Sequence, residues 1–238
     1  MIRRFTEWYR QFKRRYIVQQ RRQHEYAINR YYAHLIDPFF TKIVYDLKMS
    51  PNMVTIIATV IGVSAAVSII EDKLILAAIL LQLWHYMDGS DGNLARLTNR
   101  CTSFGAKLDV FSDQTVRFTV FMAIVFSVDV SLLIKILFVL TLYVDVLVIH
   151  SYVLPFMRKY TVVRATWKQW FLDRGIIPGL DMLTVFFVFS VCAIFNRLDI
   201  GVYFFVIFKN IDWMYRVWEC LKSKYIYKVS RNTTDLAK

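Results

Sequence analysis

The sequence predicts an all-α integral membrane protein: six transmembrane helices preceded by an N-terminal basic amphipathic interfacial helix. Three observations lead there. Of 238 residues, 57% are apolar and 16% aromatic, with a mean hydropathy of +0.40, too greasy for a soluble domain of this size. The apolar residues are gathered into runs long enough to cross a bilayer, separated by polar connectors. The net charge of +12 is concentrated in some connectors and nearly missing from others. Composition divides the chain into a basic amphipathic juxtamembrane region (1–50), a six-helix membrane domain (51–221) and a basic tail (222–238).

Residues 1–50 hold eleven Lys or Arg against four Asp or Glu, with Trp8, Tyr9, Phe12, Tyr16 and further aromatics, Phe5 among them, threaded between. That mixture predicts one or two helices lying in the interface, basic face in the headgroups and aromatics below; a solvated basic tail is the alternative. The first 26 residues lack the apolar run of a signal peptide, so insertion is expected to start from an internal span and the mature chain to be the whole chain. Between Pro38 and Pro51, residues Phe39, Ile43, Val44 and Leu47 fall at helical spacing.

The spans are expected at about 53–70, from 74 to about 87, from 103 to about 128, 131–154, 179–195 and 200–217. Asp88 would then close the second span, and Asp109 and Asp113 would lie in the first turns of the third. Six spans put both termini on one side, and loop charge tests this independently. Connectors assigned outside carry only Lys73 and Arg197, with Lys135 a turn inside the fourth span. The other side has the eleven basic residues of 1–50, then Arg96, Arg100, Arg158, Lys159, Arg164, Lys168 and Arg174, and five more from Lys222 to Lys238, Arg231 included. The positive-inside rule therefore places both termini and the acidic stretch 88–113 at the cytoplasmic face. In so apolar a chain the partner of this basic surface is the anionic membrane, not nucleic acid. By the same topology the glycosylation pattern Asn232-Thr233-Thr234 is discounted.

Cys101, Cys192 and Cys220 are too far apart for a zinc site or a disulfide framework. The chemistry lies elsewhere. Asp88 and Asp91 fall within one turn of Gly92, with Ala95 and Arg96 a turn further on; Gly105, Asp109 and Asp113 repeat at i, i+4, i+8. Two antiparallel helices with a tight connection would aim these stripes at each other. Four carboxylates with no His or Cys among them select hard cations, Mg2+ or Mn2+. Two such ions would use all four carboxylates, an arrangement suited to phosphoryl transfer, and a carboxylate at the edge could take a proton from an attacking hydroxyl.

The pattern Asp88-x-x-Asp91-Gly92-x-x-Ala95-Arg96, eight residues, Gly105-x-x-x-Asp109-x-x-x-Asp113 resembles the complete signature of the CDP-alcohol phosphotransferase (CDP-alcohol phosphatidyltransferase) family. Pro51-Asn52 and Thr55 are similar to a Pro-Asn-x-x-Thr element often found ahead of it. The resemblance covers residues 50–113. It implies a six-helix membrane enzyme, usually a homodimer, that moves a substituted phosphate from a CDP-linked donor to an alcohol and releases CMP. By that likeness Asp88, Asp91, Asp109 and Asp113 hold two metal ions and Asp113 is also the general base. Gly92, Ala95 and Gly105 would leave room for the nucleotide, Arg96 would hold the aspartates or the pyrophosphate, and Asn52 and Thr55 would touch the nucleotide.

The expected donor is CDP-diacylglycerol and the expected acceptor a polar alcohol or its phosphate, in phospholipid biosynthesis. A soluble CDP-alcohol donor of inositol or aminoalcohol type is the alternative, and an aspartate-rich membrane prenyltransferase a more distant one, since its second aspartate-rich segment is lacking. A channel would need acids along a pore, and a purely structural ion-pair network would need Arg96, Arg100, Lys107 and Arg117 as partners. Arg117, one turn beyond Asp113, is a candidate for binding an anionic acceptor, with pairing to Asp145 or Asp113 as its alternative. Arg158, Lys159 and Arg164 are candidates for the same pocket or are simply topology signals. His85 could support Asp88 from one turn away. For His150, Asp145, Asp181, Lys209, Asp212 and Arg216 no role beyond pairing is expected.

Overall fold

The computed structural model describes residues 2–17 and 23–229, with side chains from residue 6 onward; the side chain of Phe5, Arg231, Lys238 and the Asn232-Thr233-Thr234 pattern lie outside the described residues. The fold is mostly helical. Helix α1 (Ile2–Tyr16) is followed by a two-residue strand β1 (Glu25–Tyr26), a π-helical turn and α2 (His34–Asp46). Then come α3 (Pro51–Ile70), α4 (Leu74–Leu97), α5 (Ser103–Ser127) and α6 (Leu132–Val148), which widens into a π turn and continues as α7 (Leu154–Lys159). Helix α8 (Thr166–Asp173) and strand β2 (Ile176–Ile177) lead to α9 (Met182–Ile194), α10 (Leu198–Phe204) and, through a further π turn, α11 (Asn210–Tyr225).

Among the described residues, three helical stretches are long and apolar enough to cross a membrane: Pro51–Ile70, Ser103–Ser127 and Leu132–Lys159. Helix α9 is apolar but shorter, α4 carries Asp88, Asp91 and Arg96 in its C-terminal part, and α11 carries charged residues along its length. The helix starts follow from their caps: Ser50 accepts from the Met53 amide ahead of Pro51, Thr102 from Gly105, and Asp181 from Thr184. Tight reversals after α3, α4 and α9 place Asp72, Asn99 and Asn196 at φ of 58°, 54° and 55°, a region that Asp and Asn tolerate well. The Arg100 amide reaches back to the Ala95 carbonyl at 2.8 Å, so α4 and α5 are joined by only five residues.

Three expectations need correction. Helix α4 runs ten residues past Met87, because Ser90, Asp91, Asn93 and Leu94 are buried against its neighbours and packing overrides two glycines. The fourth helix likewise continues to Lys159, so Arg158 and Lys159 ride on a helix and not on a connector. Pro38, read as punctuation, lies inside α2. Its missing N–H leaves the His34 carbonyl without its ordinary helical donor, and that carbonyl instead accepts from Lys13 Nζ at 2.8 Å and from the Tyr9 hydroxyl at 3.4 Å. Those bonds, with Phe12 and Tyr16 against Phe39 and Tyr45, lay α1 along α2.

Helices α3, α4 and α5 pack side by side. A Cβ at Gly62 would stand 2.5 Å from Val116, so the glycine permits the close approach of α3 and α5. The remaining helices meet them around Phe121, Phe138, Phe186, Phe189 and Phe205, all fully buried, with Phe121 and Phe138 stacked at 5.0 Å. On the side of α1 and α2, β1 pairs in parallel with β2. Arg30 donates to the Gly175 carbonyl and Asn29 to Asp181, so the segment before α2 is tied to the connector after α8.

Candidate active site

The aspartate stripes of α4 and α5 face each other, as their spacing requires. One carboxylate oxygen from each of Asp88, Asp91 and Asp109 lies within 4.8 Å of the others. Asp113, one turn beyond Asp109 on α5, is a charged neighbour of Asp88 and Asp109. Among the described residues none of the four makes an ion pair, so the structural network with Arg96, Arg100, Lys107 and Arg117 does not form. Asp88 Oδ1 is buried without a hydrogen-bond partner. An all-oxygen donor set, a buried orphan oxygen and uncompensated negative charge together fit a divalent cation, which would satisfy each of them.

Asp91 is held from behind. Thr55, on the first turns of α3, donates its hydroxyl to Asp91 Oδ2 and also reaches the Pro51 carbonyl at 3.2 Å. With Thr55 only 3% exposed, its hydroxyl is committed to a carboxylate and sits below the surface expected to meet the nucleotide.

Beside Asp91 and Asp109 opens a cavity of about 190 Å³. Asn52, Thr55, Gly92, Ala95, Arg96 and Gly105, all six positions that the family resemblance nominated for the nucleotide side, line it. The Arg96 guanidinium lies over Gly92, where a Cβ would meet Nη1 at 3.3 Å, and Nη2 donates to Asn93 Oδ1 at 2.8 Å. A Cβ on Gly105 would come 3.0 Å from Asn52 Oδ1, so the glycine brings the first turn of α5 up to the first turn of α3. Arg100, Cys101, Thr102 and Ala106 complete the wall. Sequence reasoning did not nominate them; the only signal for Arg100, Cys101 and Thr102 was their place in the short connection between the two stripes, and for Ala106 its place beside Gly105.

The basic acceptor candidates are not brought together. Arg117 lies beside Asp113, with its Nε buried and unpartnered. It does not pair with Asp145, which Lys209 takes at 3.1 Å. Arg158 and Lys159 are exposed at the end of α7. Arg164 lines a separate cavity of about 480 Å³ with Lys168, Arg216 and Glu219. His85, Asn93 and Arg96 border a third cavity on the α2 side of α4. The remaining polar residues pair much as expected: Asp212 with Arg216 at 3.0 Å, Asp181 with Asn29, and His150 with the Val146 carbonyl.

Comparison with known proteins covers the same region and more. The family model described as CDP-alcohol phosphatidyltransferase matches residues 48–218. An archaetidylinositol phosphate synthase of Pyrococcus horikoshii is 28% identical over 185 residues, which is 76% of this chain and 88% of that protein. A phosphatidylinositol phosphate synthase of Corynebacterium glutamicum is 34% identical over 91 residues, 38% of this chain and 41% of its own length. A bifunctional IPC transferase and DIPP synthase of Aquifex aeolicus is 36% identical over 92 residues, 38% of this chain and 20% of its own.

Proposed function

Because the chain belongs to the CDP-alcohol phosphatidyltransferase family, we propose that it transfers the phosphatidyl group of a CDP-linked lipid of the CDP-diacylglycerol type to a hydroxyl of a phosphorylated polyol, releasing CMP. One observation carries this reading: the aspartates of α4 and α5 adjoin the cavity that gathers all six of the predicted nucleotide-side positions. The acceptor class rests on the two relatives named for inositol phosphate lipids.

In this reading Asp88, Asp91, Asp109 and Asp113 hold two Mg2+ or Mn2+ ions, which when bound supply positive charge against the pyrophosphate. Asn52, Gly92, Ala95 and Gly105 seat the cytidine nucleotide, with Thr55 acting through Asp91, and Arg96 pairs with its phosphates. Asp113 accepts the proton of the acceptor hydroxyl as its oxygen bonds to the phosphorus distal to cytidine. The bond from that phosphorus to the CMP oxygen breaks and CMP leaves with the electron pair. Arg117, next to Asp113, is placed to bind the charge of the acceptor, a role for which Arg158, Lys159 and Arg164 have less support.

The chain is read as a six-span integral membrane protein, with α4, α9 and the α10–α11 pair completing the three long apolar helices. Its site and termini face the cytoplasm, α1 lies at the interface, and two copies assemble as a homodimer. Loop charge supports the orientation and family membership supports the dimer. The test is CMP release by purified protein with Mg2+ and CDP-diacylglycerol, across myo-inositol 1-phosphate, glycerol 3-phosphate and free alcohols. Release with a phosphorylated polyol is the expected result. Release only when CDP-inositol replaces the lipid donor would overturn the donor assignment, and no release with any pair would overturn the reading.

A further inference from the structure

Arg96 lines both the nucleotide cavity and the cavity of about 290 Å³ on the α2 side of α4. A helical arginine folds back over the preceding turn, and Gly92 leaves the space it fills: a Cβ there would meet Nη1 at 3.3 Å and Nη2 at 3.4 Å. In that pose the guanidinium is a charged neighbour of Asp109. A side chain with so many rotamers keeps one only if something holds it. No carboxylate does so, since among the described residues Arg96 makes no ion pair. Glu25 and Asp37 border the α2-side cavity together with Lys13, but His34 engages both acids: its Nε2 lies 3.2 Å from Glu25 Oε1 and its Nδ1 lies 3.1 Å from Asp37 Oδ2.

Among the described residues the guanidinium has one hydrogen-bond partner, Asn93 Oδ1, 2.8 Å from Nη2. A guanidinium only donates, which fixes the amide of Asn93 with its oxygen toward Arg96 and its nitrogen away. That nitrogen donates to the Thr41 hydroxyl on α2 at 3.4 Å. Asn93 is 7% exposed and Thr41 is 0% exposed, so the amide is backed by packed protein and not by water. Asparagine is a poor helix former, and its presence in the buried part of α4 finds its reason in these two bonds. Asn93 borders the α2-side cavity and does not border the nucleotide cavity. Its influence on a bound nucleotide therefore passes through Arg96.

Resting on the function proposed above, we infer that Asn93 is a positioning residue for the CDP-linked donor: its amide holds the Arg96 guanidinium over Gly92, where Arg96 meets the phosphates of the nucleotide. Asn93 touches no reacting atom. Its effect falls on donor binding and not on proton transfer at Asp113.

Two variants of the full-length protein test this. Asn93→Leu keeps the bulk of the side chain and Asn93→Ala favours the helix, and both remove the bond to Arg96. In 31P NMR titrations with CDP and excess Mg2+, each is expected to raise the Kd roughly tenfold, the scale of a lost hydrogen bond to a charged group. With CDP-diacylglycerol and myo-inositol 1-phosphate varied separately, donor KM should rise by a similar factor while kcat and acceptor KM stay within about twofold. On an Arg96→Ala background, adding Asn93→Ala should raise the CDP Kd by less than about twofold, because the group through which Asn93 acts is gone. A further tenfold rise on that background overturns the inference, as does a fall in Mn2+ affinity in step with the loss of CDP. The CDP titration needs no turnover, so the two readings fail separately. Wild-type protein that binds CDP but releases no CMP with any pair overturns the reaction, whereas active protein whose two Asn93 variants bind CDP as wild type does overturns the positioning role.

Discussion

The Thr55 hydroxyl donates to Asp91 Oδ2 across the interface of α3 and α4, so a residue 36 positions away in the chain aims one of the converging carboxylates. Thr55→Val keeps the shape and removes the donor. Metal affinity and kcat are expected to fall by roughly 10–100-fold, as for other residues that orient a ligand from behind. Thr55→Ser should recover most of both. A Val variant with wild-type Mn2+ affinity would remove Thr55 from that role.

Chelation is expected to abolish CMP release, with Mg2+ or Mn2+ restoring it and Zn2+ failing to do so. The ion should also stabilise the fold. A ligand that binds only the folded state contributes about 2.7 kcal/mol at a hundred times its Kd. Thermal unfolding with and without Mn2+ reads this directly, and the gain should vanish in Asp88→Asn.

Asp113→Asn is expected to slow CMP release by roughly 10²–10⁴-fold, the range for losing a general base. Because Asp88, Asp91 and Asp109 converge without it, at least one Mn2+ should still bind in that variant. Loss of both together would make Asp113 an indispensable ligand and leave the base unidentified.

Lys168 on α8 and Glu219 on α11 form a buried pair, their side chains 9% and 5% exposed. Burial holds the Lys168 ammonium below its ordinary range, against the raising effect of Glu219. A depressed lysine means that protonation is harder in the folded than in the unfolded state, so its contribution to stability diminishes as pH falls through the folded value and recovers as pH rises toward the ordinary one. Lys168→Met alone should cost about 3–5 kcal/mol by stranding Glu219, whereas Lys168→Met with Glu219→Leu should regain most of it. Thermal unfolding of the single and double variants decides.

The aspartate pairs were legible because i, i+3, i+4 and i+8 spacings fix a face of a helix, and two faces joined by a short turn have little choice but to meet. The same periodicity could not say that α4 continues past Asp88, since that depends on Ser90 and Leu94 finding partners on other helices. Nor could it show that Lys209, 64 residues from Asp145 in the chain, would take the place considered for Arg117. The cluster of Glu25, His34, Asp37 and His85 was invisible for a related reason. Its members share no helical register, and only the docking of α2 on α4 puts them round one cavity.

The proline inside α2 bears on where the working unit of this protein begins. Composition draws a boundary at residue 50, and the family match starts at residue 48. Yet Pro38 releases a carbonyl that anchors Lys13, and that carbonyl belongs to His34, whose ring joins Glu25 to Asp37. A single residue thus fastens the first helix with its backbone and organises two buried acids with its side chain. Removing the first 17 residues would be no neutral trimming of a tail: it would take Lys13 from the cavity wall and return to solvent a carbonyl that α2 has no amide to occupy. The packed fold is longer than the family match, and its extra length lies upstream.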